Sequence, residues 1–280
     1  MSRKKNLLDY LALTLFIMCM GLALSASLEY VTRATEREYL GQGIWVLSMA
    51  GLSLLALLLG RISRKCGQKM QPLPKNIVMI ALGAVLGGVG VYLRLWVIWN
   101  IPVEPDSDFE TYYRMANHLL NDTLMSAEGA VDRRYIALYP HTIGFPMLIL
   151  WPTFAIFGAS VRNALYANLV CSVISILLAG HIARRIAGRT GALVAVALMS
   201  LWPSHILFSN MVATEPSFTM LILLAADMMT SILDRHQGSL YDAAPSRMLG
   251  VMALLGIVLA LAGAIRPMAV LLPAAYWVAP

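Results

Sequence analysis

The sequence predicts an all-α polytopic transmembrane helix bundle, with interfacial amphipathic helices in an external loop. Three observations predict it. The chain is 59% hydrophobic and only 13% charged, with mean hydropathy +0.71, against ~25% charged in an ordinary soluble domain. Several apolar runs approach the ~20 residues that cross a bilayer. Lysine and arginine gather in short loops between those runs, as they do where charge fixes membrane orientation. The net charge of +6 therefore does not imply a nucleic-acid partner.

Leu7–Leu28 is the first apolar run, behind Ser2-Arg3-Lys4-Lys5. Its small residues also suit a cleavable leader, but it is long for an h-region of ~7–15 residues. Gly43–Gly60 is the second run. Arg61–Lys75 carries five basic residues and no acid, which places that loop and the N-terminus in the cytoplasm. These two helices and the basic loop form a unit over 1–75. A core over 76–280 follows, with an external catalytic loop at 100–161.

The third helix, about Asn76–Trp99, exits outward and ends in Trp96 and Trp99 at the interface. Arg94, near its end, is expected to snorkel. The external loop holds seven acids against three arginines. Within it, Phe109, Tyr112, Tyr113, Ala116, Leu119 and Leu120 share one face at helical spacing. Ser107 and Glu110 match a capping box. Asp106-Ser107-Asp108 thus opens an amphipathic helix, where the acids serve either the helix dipole or chemistry. Gly144–Gly158 is apolar, short and carries Pro146 and Pro152. The parity of the flanking basic loops expects it to lie in the external interface. Arg162–Ile182 runs inward to a basic loop, "HIARRIAGR". Thr190–Asn210 returns outward and Pro216–Leu233 inward. Met248–Ile265 goes outward to Arg266-Pro267. Met268–Pro280 reads as a helix cut off in mid-membrane, so about seven crossings and a fragment are expected. Cys19, Cys66 and Cys171 have no metal spacing and read as packing residues or free thiols. Asp227, inside a membrane helix, is a functional suspect by position.

The order of segments carries a resemblance. Asp108, Glu110, Tyr112 and Ala116 form D-x-E-x-Y-x-x-x-A in the first large external loop. "YPHTIGFPMLILWPTFAIFGAS" follows, then a helix ending in Arg184-Arg185 and Gly188, then "LWPSHILFSNMVATEPSFTMLILLA". Across about Trp96–Pro273 this resembles the GT-C membrane glycosyltransferases, especially the bacterial family 39 type: protein mannosyltransferases and aminoarabinose transferases. The chain departs from them in having two helices ahead of the catalytic loop, and in lacking later helices and a C-terminal domain.

The resemblance implies a hexosyltransferase-class enzyme in a bacterial plasma membrane. It would move a sugar from a polyprenyl-phosphate donor to an external glycan, lipid or protein. Asp108 matches the position of the aspartate that acts as general base or orients the acceptor, with Asp106 its neighbouring substitute and Glu215 a second acid. Arg266 and His141 fall where relatives place groups near the phosphate. Arg134 is a lipid-headgroup candidate, and Tyr112, like Tyr113, reads as packing or as a sugar platform. Some relatives hold a divalent ion near the acidic motif, and Mg2+ or Mn2+ would suit Asp106 and Asp108. A transporter or lipid flippase would instead show repeats and midplane charges, for which only Asp227 and a few Gly/Pro positions speak. A non-catalytic scaffold would leave the external acids dispensable.

Overall fold

The computed structural model describes residues 72–101, 103–237 and 245–270. The chain divides into two compact units, Met1–Leu57 and Leu58–Pro280, and every described residue belongs to the second. The two N-terminal runs, Cys19, Cys66, residues 238–244 of the loop 234–247 and most of the terminal run lie outside the described residues.

The described chain is helical. Helix α1 (Pro72–Asn100) is the expected exit helix. Helix α2 (Asp108–Leu120) and helix α3 (Ala130–Leu138) occupy the loop after it. A 3-10 turn (Pro140–Ile143), a π turn (Pro146–Leu150) and helix α4 (Trp151–Phe157) then run on from one another. Helix α5 (Val161–Leu201) is followed by α6 (Pro203–Phe208), α7 (Glu215–Gln237), α8 (Pro245–Ile265) and a 3-10 turn (Pro267–Val270). Among the described residues three segments are long and apolar enough to cross a membrane: Ile77–Asn100, Pro140–Phe157 and Val161–Leu201. Helix α1 leaves Ile77, Ile80, Val85 and Trp99 exposed, as lipid-facing side chains are in a bilayer.

Helix α5 is two arms, not one rod. Gly188 sits at φ 70° and ψ −163°, a backbone state that a side chain would oppose. Three contacts show that the chain doubles back there. A methyl group on Gly180 would lie 2.7 Å from Val196 Cγ2. Ser172 Oγ meets Ser209 Oγ at 3.0 Å. Asn168 Nδ2 donates to the carbonyls of Met211 and Ala213 at 2.6 and 3.1 Å. The basic stretch expected as a loop is therefore helical up to Gly188, and one inverted residue makes the turn. Ser160 caps the first arm by accepting from Asn163 N. Pro203 ends the second arm by holding Trp202 in extended geometry.

Arg94 does not snorkel. Only 1% exposed, it donates to the carbonyls of Gly90, Met199 and Ser200, each at 2.9 Å. Residues 199 and 200 lie in the last turn of α5, whose carbonyls lack helical donors. The guanidinium supplies them and ties α1 to the second arm.

The core lies where α2, the 140–157 segment, the N-terminal half of α7, the C-terminal half of α8 and the first arm of α5 converge, around Phe145, Leu150, Phe154, Val212 and Ile265. The amphipathic face of α2 meets it through Tyr112 on Phe145 and Tyr113 on Phe154, both edge to face. Met115, absent from the expected stripe, is fully buried beside Ala116. The buried face of α2 is thus wider than the aromatic pattern implies.

Candidate functional site

The expected capping box does not form. Ser107 adopts φ 56° and ψ −124°, and its side chain makes no cap bond. Asp106 Oδ1 instead accepts the Ser107 N–H at 2.7 Å. Glu110 turns to Arg114 at 3.4 Å. Positive φ in a residue with a side chain is strained, and strain of this kind gathers at functional sites. The inversion separates the two aspartates: Asp106 is used locally, while Asp108 begins α2.

Asp108 faces α3. Tyr135 donates its hydroxyl to Asp108 Oδ1 at 3.1 Å. Its own phenol is pushed up, first by burial and then by Asp108. Helix α3 is held in turn by Asp132, which is 1% exposed. Asp132 Oδ1 accepts from Nη2 and Nε of Arg114, one edge of the guanidinium, at 2.7 and 3.1 Å, and Nε also reaches Oδ2 at 3.0 Å. His118 Nε2 lies 3.5 Å from Asp132 Oδ2. The pair thus fixes α2 against α3, and so sets Tyr135 on Asp108.

Across the core, Thr214 and Glu215 start α7. The turn that delivers them is tied down by Asn168, by Ser172 on Ser209, and by Asn210, which donates to Ile101 O at 2.6 Å. Arg266, just past α8, donates from Nε to Thr214 Oγ1 at 2.9 Å and from Nη2 to Glu215 Oε1. Its guanidinium carbon lies 6.0 Å from the Phe218 ring centre. Glu215 Oε2 is buried without a hydrogen-bond partner among the described residues.

Tyr112 joins the two halves. Its phenol is pushed up to about 12, chiefly by burial, then by the negative charge of Asp108 and by Tyr135, with Glu215 adding and Arg266 opposing. It therefore stays neutral at ordinary pH. Four separate stretches of chain place Asp108, Tyr112, Tyr135, Glu215 and Arg266 within electrostatic reach of that one hydroxyl. The 140–157 segment supports them: a methyl on Gly144 would lie 2.0 Å from the carbonyl oxygen of Ala264, so only glycine lets this segment seat against the end of α8 below Arg266.

Of the sequence candidates, Asp108, Tyr112, Glu215 and Arg266 come together. Asp106 makes its one described side-chain bond to the Ser107 N–H. His141 makes its one described side-chain contact with the Tyr139 ring, 6.5 Å between centroids. Arg134 is exposed, while its neighbour Arg133 donates to the carbonyls of Leu124 and Ser126. Asp227 lies apart, 3.5 Å from His181 and 3.6 Å from Arg185. Tyr135, Asp132 and Thr214 as an arginine partner were not foreseen. The spacing of Tyr135 from Asp108 carries no local signal.

No cluster of three or more His, Cys, Asp or Glu side chains suited to a metal occurs among the described residues. Asp106 Oδ1 accepts from Ser107 N and Asp108 Oδ1 from Tyr135, so Mg2+ or Mn2+ at this pair would draw on the remaining carboxylate oxygens and on further oxygen ligands.

Fold and site define a helical membrane protein with a carboxylate, two phenols and an arginine–glutamate pair gathered at one end of a helix bundle. Residues 141–279, about half the chain, match the protein family described as dolichyl-phosphate-mannose-protein mannosyltransferase. That match supports a GT-C type membrane glycosyltransferase. The match includes His141, Glu215 and Arg266 and begins after Asp106 and Asp108. No curated protein and no solved structure matches the chain.

Proposed function

We propose that this membrane glycosyltransferase takes a sugar from a polyprenyl-phosphate donor and passes it to an acceptor hydroxyl at the external face. The observation that carries the reading is the Arg266 guanidinium held on Thr214 and Glu215 at the core against which α2, opening at Asp108, packs Tyr112. The acceptor oxygen attacks the sugar's anomeric carbon. The bond from that carbon to the phosphate oxygen breaks, and its electron pair leaves with the phosphate. The acceptor's proton passes to Asp108, a carboxylate suited to general-base work. Tyr135 occupies Oδ1 of Asp108 and orients the carboxylate, leaving Oδ2 for the acceptor.

Arg266 receives the departing phosphate, since a guanidinium fits phosphate oxygens in its planar fork. Its Nη1 makes no protein hydrogen bond among the described residues, so one edge remains for the donor. Glu215 and Thr214 hold the arginine in place. Neutral Tyr112, packed on Phe145 at the same core, offers a hydroxyl to the sugar or the phosphate. No step is routed through a metal.

Sidedness supports the external assignment. Asn168, beside the Glu215 turn, and Gly188 are 20 residues apart on one arm, roughly 30 Å of helix at 1.5 Å per residue. The acid–arginine group and the Arg184-Arg185-Arg189 turn therefore sit at opposite ends of the hairpin. A basic turn prefers the cytoplasm, which leaves the other end outside.

The test uses proteoliposomes with labelled polyprenyl-phosphate sugars. Transfer is expected to fall at least ~100-fold in Asp108→Asn and to survive in Asp106→Asn. Equal transfer by wild type and Asp108→Asn would remove the base assignment. In intact cells, an impermeant thiol probe is expected to modify Ser126→Cys and spare Cys66. The reverse pattern would put the site on the wrong side.

A further inference from the structure

We propose that the turn of the α5 hairpin carries a binding site for one anionic phospholipid, remote from the sugar-transfer site and independent of that reading. A cavity of about 450 Å³ opens between α1 and the two arms of α5. Met79, Leu177 and Val196 make its apolar wall, while His181, Arg184 and Arg189 line it toward the turn. No carboxylate lines it among the described residues. An apolar slot with a cationic rim is complementary to an acyl chain carrying a phosphate head.

The geometry separates the basic residues by role. Arg185 points to α7, where it donates to Ser231 Oγ at 2.5 Å and pairs with Asp227. Asp227 also stands 3.5 Å from His181, so the intramembrane acid is used in joining α5 to α7. Arg184, one residue before Arg185, falls on another face of the helix, lines the cavity and is exposed. Arg189 follows the inverted Gly188, which swings it to the same cavity from the second arm. Two glycines make the slot. Gly180 lets the arms close to contact at Val196, and a Cβ on Gly83 would meet nothing within 4 Å, so the cavity is open on the α1 side.

Anionic headgroups come from the surrounding membrane, and a basic residue near the bilayer surface is worth about 1 kcal/mol toward them, roughly fivefold in occupancy. The full chain is reconstituted in vesicles of equal phosphatidylglycerol and phosphatidylcholine and extracted in mild detergent. Retained lipid is then counted by native mass spectrometry. Phosphatidylglycerol is expected to be enriched, and Arg184→Gln to reduce the enrichment about fivefold. Gly83→Phe, whose Cβ would meet nothing within 4 Å and whose ring would occupy the slot, is expected to abolish retention. Gly83→Ala is expected to keep it. Equal retention of the two lipids in the wild type overturns the proposal. So does undiminished retention in Gly83→Phe, which would place the lipid on the outer surface. Displacement by soluble glycerol phosphate as effective as by phosphatidylglycerol overturns the assignment to a lipid.

Discussion

Gly144→Ala separates two opposed forces, and the structure says which prevails. Gly144 has φ −60° and ψ −49°, ordinary helical angles that alanine prefers. Local propensity alone would make the substitution stabilising by up to ~1 kcal/mol. The new methyl, however, would stand 2.0 Å from Ala264 O and 2.4 Å from Ala264 C. Ordinary contact begins near 3.4 Å, so the segment must retreat by about 1.4 Å from the end of α8. Backbone atoms cannot rotate aside as a side chain would. Overpacking of this kind costs about 1–3 kcal/mol, which exceeds the propensity gain. The retreat also moves Phe145, and with it Tyr112, away from Arg266. A displacement near 1 Å at a catalytic group can cost on the order of 100-fold in rate. Thermal melting of the detergent-solubilised protein and the proteoliposome transfer assay together read both effects, with Gly83→Ala as the unhindered control. A Gly144→Ala protein that melts higher than wild type and transfers normally would refute the claimed close approach.

Other outcomes follow from the same geometry. Ser107→Gly relieves a positive φ and is expected to raise stability by about 1 kcal/mol; a lower melting temperature would show that the serine side chain matters there. Arg114→Ala strands the buried Asp132 carboxylate, whereas Asp132→Asn leaves an arginine that is 40% exposed and can hydrate. The arginine variant is expected to be the less stable, by up to 3–5 kcal/mol against wild type, and the reverse order in urea or thermal unfolding would refute this account. Burial lifts the folded Tyr112 phenol from 10.0 to about 12. The neutral form is the one folding favours, so its contribution is complete below pH 10 and is lost as pH rises toward 12. Tyr112→Phe is expected to flatten that part of the pH–stability curve.

Helices were legible where one physical rule governed them. The α1 exit, the α2 stripe and the α7 and α8 runs followed from length and periodicity. Arg266 and Glu215 were legible because each stands beside the end of an apolar run, where a charge must be either at the surface or paired. What escaped depends on contacts distant in sequence. Arg94 reads as a snorkelling residue until the end of α5 comes beside it, 105 residues later, with carbonyls to satisfy. Tyr135 sits in a helix too short and too polar to announce itself, and is 27 residues from the aspartate it serves. The capping box failed because Asp106 reached the Ser107 N–H first. Gly188 could be seen as a turn residue, but not that it would turn the chain alone.

The arginine–glutamate pair bears most directly on how the proposed polyprenyl-phosphate donor would bind. Arg266 is held by Glu215 and Thr214 while Glu215 keeps one oxygen buried without a partner. A buried, half-satisfied carboxylate is costly, and an approaching phosphate adds negative charge beside it. Both facts favour a donor whose arrival uncovers the free oxygen and supplies it with hydrogen-bond donors, as sugar hydroxyls do, while its phosphate meets Nη1. On that argument Glu215→Gln is expected to weaken sugar recognition more than binding of the bare polyprenyl phosphate. Competition between sugar-charged and uncharged carriers in the same vesicles measures the difference. Equal losses for both would mean that Glu215 only holds the arginine.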